Sequence, residues 1–150
     1  MSVAFKDSTG SDWQLRLTWG QVREIRDSLG VDFTTFKDGR ALFELGVDVE
    51  KFVGVLWLLV EKQAVAAGVS PEDFAERLDG PTIDAASMAL VDAYLAFCPA
   101  LLREATTKVI SGAREATIKA LDVVAEENLR TMPQMIETVR QAARQEFGNK

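Results

Sequence analysis

The chain has 150 residues, 47% hydrophobic and 27% charged, enough for one ordinary domain with a sizeable core and too apolar for a disordered segment. Its net charge is −6 with no polybasic run, which argues against sequence-independent nucleic-acid binding, since that depends on neutralising phosphates. Histidine is absent and cysteine occurs once, which removes the commonest general base, the usual metal ligand, histidine-activated nucleophiles and any intrachain disulfide.

The acidic character is uneven. Residues 1–102 hold 9 Lys and Arg against 16 Asp and Glu, a balance of −7, whereas residues 103–150 hold 8 against 7, a balance of +1. No basic-then-apolar leader opens the chain, because Lys6 is followed by Asp7-Ser8-Thr9-Gly10, and an intracellular protein is expected.

Val3 to Lys6 is a short apolar run followed by turn-forming residues from Asp7 to Asp12. Trp13 to Thr18 then alternates strictly, with Trp13, Leu15 and Leu17 on one face, the mark of a half-buried strand. Together these predict a β-hairpin whose apolar face needs helices or a partner to cover it. Thr18-Trp19-Gly20-Gln21 has capping-box spacing and opens a helix with Val22, Ile25 and Leu29 on its apolar face, ending at Gly30.

An irregular connection follows, with a turn at Asp38-Gly39 and one helical turn over residues 41–46. Phe33, Phe36 and Phe43 are expected to pack beneath the next helix. That helix, from Val49 to Ala67 with Asp48 as N-cap, contains the most apolar run of the chain, Phe52 to Val60. Nine apolar residues are too few to cross a bilayer, for which about 20 are needed. Being apolar on every side, the run is expected to be buried on every side and to organise the core.

Ser70-Pro71-Glu72-Asp73 is a strong helix start, and Asp79-Gly80-Pro81 closes that short helix. A longer helix opens at Thr82-Ile83-Asp84 and meets Pro99, which is expected to interrupt it. Cys98, in an apolar setting, reads as a small core residue rather than a reactive thiol. Residues 100–131 are helix-prone throughout, with an apolar stripe that includes Leu101, Leu102, Val109, Leu121, Val124 and Leu129. Thr131-Met132-Pro133 is expected to break the run before a last amphipathic helix over residues 134–147.

The predicted fold is therefore mainly α with a small N-terminal β-hairpin: a compact helical domain over residues 1–99, then long amphipathic helices over residues 100–150. There is no Gly-rich phosphate loop, no CxxC and no HExxH, and no oxygen-rich loop accompanies Asp84 and Asp92. No catalytic, cofactor-binding or metal-binding residues are expected, and the chain does not read as an enzyme. Candidate partner-facing residues are Trp19, Phe33, Phe36, Leu102, Val109, Leu121 and Val124. Each also has a reading as core, which for the aromatics is the stronger one. Self-association into a homo-oligomer is expected from the hairpin edge and the amphipathic tail, whereas no membrane partner is.

The segments from Asp12 to Thr18, Val22 to Asp32, Val55 to Glu61 and Ala67 to Phe74, ending near Phe97-Cys98-Pro99, resemble the tail assembly chaperones of long-tailed bacteriophages and prophages. The resemblance covers residues 12–99 and rests on packing and capping residues. It implies a helical, non-enzymatic protein of the bacterial host cytoplasm that escorts the tape measure protein, with the tail tube protein as a further partner. An alternative is a structural or connector protein that stays in the phage particle.

Overall fold

The structure, a computed structural model, describes residues 3–36 and 39–148. The protein is mainly α, with an N-terminal hairpin of β1 (Val3–Lys6) and β2 (Asp12–Leu15). Among the described residues six helices follow: α1 (Trp19–Leu29), α2 (Arg40–Val47), α3 (Val49–Ala66), α4 (Pro71–Glu76), α5 (Gly80–Phe97) and α6 (Ala100–Gly148). The chain divides into two compact units, residues 1–109 and 110–150. The first residues of α6, to Val109, belong to the first unit.

In the first unit β1 and β2 pair antiparallel, with Val3 opposite Leu15 and Lys6 opposite Asp12. Their shared face buries Phe5, Trp13, Leu15 and, just past the strand, Leu17. That face bridges two helices, β1 lying on α5 and β2 on α3. β2 is shorter than its alternating sequence because Thr18 leaves the strand to cap α1, its hydroxyl accepting from the Gln21 amide.

The loop between the strands is built on Asp7, whose side chain is fully buried. Its carboxylate accepts from the amides of Thr9 and Ser11, the Thr9 hydroxyl and the Trp13 indole N–H at 2.7–3.0 Å. Arg77, just after α4, adds an ion pair at 3.4 Å. Burial works to raise the Asp7 pKa, but the hydrogen bonds from Thr9, Trp13 and Ser11 outweigh it and bring it down from 3.8 to about 2.

Helix α3 starts and stops where its sequence says it should. Asp48 accepts from the Lys51 amide at the N-cap, and Gly68 sits just past the end with φ 71°. It touches α1, α2, α4 and β2. Its burial is one broad face rather than the whole circumference: Phe52, Val55, Leu56, Leu59 and Val60 are buried, while Val53, Trp57 and Leu58 are half-buried. The first unit is too small to wrap a helix completely. Gly54 lets α1 come close, since a Cβ there would stand 3.2 Å from Leu29 Cδ1.

Two further expectations change. Helix α5 begins at Gly80, because Asp79 caps it by accepting from the Thr82 amide and hydroxyl, so Gly80-Pro81 opens this helix instead of closing the previous one. Phe33 and Phe36 pack on Tyr94 of α5, and Phe43, expected beneath α3, is 69% exposed on α2. Of the Asp38-Gly39 turn, Asp38 lies outside the described residues, and Gly39 holds φ 63° before α2.

Pro99 does separate two helices. Arg103 ties the start of α6 to the end of α5 by donating to the carbonyls of Leu95 and Cys98. Pro133, by contrast, does not break α6. Proline removes one hydrogen bond and crowds the preceding turn, yet the apolar period stays in phase across it, with Leu129, Met132, Ile136 and Val139 spaced by three, four and three.

Candidate functional site

Two surfaces present the predicted partner-facing residues. In the first unit, Thr18 leaves the hairpin and places Trp19 at the first position of α1, where it is 68% exposed. The indole stands edge-on to Phe97 of α5 at 5.5 Å between ring centroids. Around it lies an open groove of about 420 Å³ lined by Arg16, Leu17, Thr18, Trp19, Ala93, Ala96 and Phe97. A lining that combines the aromatic Trp19 and Phe97 with Arg16 suits an amphipathic segment.

Behind Trp19 the aromatic side chains form a row. Phe97 packs on Phe36, Phe36 on Tyr94, and Tyr94 on Phe33, at centroid separations of 5.7–5.8 Å. Helix α5 therefore joins all three aromatic candidates, but at different depths. Phe33 is fully buried and is a core residue, which corrects its assignment as partner-facing. Phe36 is half-buried, and only Trp19 stands at the surface. Phe97, the ring that connects Trp19 to the core, reads in sequence only as one apolar position of a helix.

Leu102 and Val109 are exposed on the part of α6 that belongs to the first unit. Between them Thr106 is buried, its hydroxyl 3.2 Å from the Phe36 carbonyl and 2.9 Å from that of Leu102. Cys98 is buried against that hydroxyl, and burial pushes its thiol pKa up, which leaves it a core residue with little thiolate.

Leu121 and Val124 lie in the second unit and are more than half exposed. Beyond them Asn128, Met132, Met135, Ile136, Val139 and Arg140 line an open apolar concavity of about 650 Å³. The expected break at Pro133 hid the continuity of this face with Leu121 within the second unit.

The hairpin edge is not free along its length. The Gln63 side chain donates to the Gln14 carbonyl at 2.8 Å and accepts from the Gln14 amide at 2.9 Å, as a neighbouring strand would. Among the described residues no three side chains of Cys, Asp and Glu come together to hold a metal ion, and Asp84 and Asp92 are exposed on α5. Among the same residues no helix is long and apolar enough to cross a membrane.

No protein family, curated protein or solved structure matches the chain.

Proposed function

We infer that the protein is a non-enzymatic assembly chaperone of the phage-tail type, which covers apolar helical surface on a long client until permanent subunits replace it. The observation that supports this reading best is the run of exposed apolar side chains on one face of α6 within the second unit, from Ile118 to Val139. Single exposed apolar residues are ordinary, but a face sustained over many turns marks a binding surface. The Trp19 groove supplies a second docking point with an aromatic anchor. The client in this reading is the tape measure protein, with the tail tube protein next in line.

Burying an amphipathic helix against these faces contributes roughly 25 cal/mol per Å² before association costs, and those costs keep such a complex exchangeable. Exchange is what a chaperone needs, because its client must leave.

Co-expression with a tape measure protein tests the reading. The client should accumulate in soluble form only when this chain is present, and Trp19→Ala should reduce its recovery severalfold. A client that is equally soluble without the chain would overturn the proposal. A protein found stoichiometrically in purified particles would instead be a structural subunit.

A further inference from the structure

Within the second unit one face of α6 keeps an unbroken alternation of three- and four-residue steps from Arg114 to Glu146. Ile118, Leu121, Ala125, Met132, Met135 and Val139 hold apolar positions on it, with Asn128 near the middle and Ala142 toward the end. This 3-4 spacing is the seam of a coiled coil. Leu129 and Ile136 widen it, and all the large side chains on it are exposed. A lone helix draws most of its stability from packing, so such a seam requires a partner.

We propose that the seam pairs with the same seam of a second copy of this chain, running antiparallel about a centre near residue 130. The charged residues on the seam itself set the direction: Arg114 stands at one end and Glu146 at the other.

In the antiparallel register Arg114 meets the partner's Glu146; in a parallel one it meets a second arginine. The interior layers agree by volume. Ile118 faces the partner's Ala142, Leu121 the partner's Val139, and Ala125 the partner's Met135, so large side chains meet smaller ones. A parallel register would set Ala125 against alanine and leave a gap. Asn128 falls beside the partner's Met132 next to the two-fold axis. The two-fold axis makes two such layers, and the amide in each costs stability, which makes a dimer that exchanges. The pairing needs only the second unit, and it covers the face of α6 that a client would take, so the dimer must open before a client binds there.

Sedimentation equilibrium and cysteine cross-linking of the full chain test it. The chain should sediment as a reversible dimer at micromolar concentrations. Arg114→Glu and Glu146→Arg should each raise the dissociation constant severalfold, and the double swap should restore it. Under mild oxidation a mixture of Ile118→Cys and Ala142→Cys proteins should form a disulfide-linked dimer, while neither variant alone does. The near-ultraviolet signal of buried Trp13 checks that each variant keeps its first unit folded. A monomer at all concentrations, charge swaps without effect, or efficient cross-linking of Ile118→Cys to itself would overturn the proposal.

Discussion

Replacing Asp7 with asparagine removes the charge on which the hairpin loop is built while keeping its shape. The wild-type carboxylate accepts from four donors and pairs with Arg77, and its side chain is fully buried. A pKa of about 2 against the ordinary 3.8 means that folding favours the ionised form by about 2 kcal/mol. An amide has one acceptor oxygen and turns its NH2 toward donors on the other side, which leaves the Trp13 indole or the loop amides unpaired at about 1–3 kcal/mol. Asp7→Asn should therefore lose about 2–4 kcal/mol at pH 7, a fall of roughly 10–25 °C in Tm for a unit of this size.

The pH dependence provides the sharper measurement. Above the unfolded pKa the carboxylate is ionised in both states and its contribution is complete. As pH falls from about 4 toward 2 the unfolded chain takes up the proton first, and the contribution disappears. Asp32 and Asp79 also have lowered pKa values, from hydrogen bonds with Thr34 and Thr82, but both are present in wild type and variant and cancel in the difference. Urea titrations followed by near-ultraviolet circular dichroism at several pH values give that difference directly. The gap should narrow by about 2 kcal/mol between pH 5 and pH 2. A gap that stays constant over this range, or a variant as stable as wild type at pH 7, would refute the argument.

Leu56 has no exposed surface, so Leu56→Asp buries a charge and should cost about 4 kcal/mol or more, enough to unfold the first unit. Leu121 is 61% exposed, and Leu121→Asp should leave the near-ultraviolet signal intact while weakening association. Equal loss of folding in both would remove the division between core and contact surface. Gln63→Ala frees the Gln14 amide and carbonyl on the β2 edge and should lower stability by about 1 kcal/mol in thermal melts, with faster hydrogen exchange at Gln14.

Much of the fold is legible because its signals are local. The alternation from Trp13 to Leu17 places three side chains on one face whatever covers them, and all three are buried. Asp48, Ser70 and Gly68 act through atoms three residues away or through their own backbone, so they mark helix ends without reference to the rest of the chain. Proline is harder to read. Pro99 and Pro133 have the same local chemistry, yet one separates two helices and the other lies within one.

The surfaces were legible only in part, since a side chain's depth is set by what arrives from elsewhere in the sequence. Phe33, in the connection after α1, and Trp19, which opens that helix, are both aromatic. Tyr94 closes over one and Phe97 meets only an edge of the other, and nothing within their own segments distinguishes them. Composition, the strand alternation and the caps at Thr18, Asp48 and Ser70 were thus determined by the sequence alone, because they depend on neighbours within a turn or two. Which apolar residues remained at the surface was decided by the tertiary structure, because burial depends on partners up to 78 positions away, as with Trp19 and Phe97.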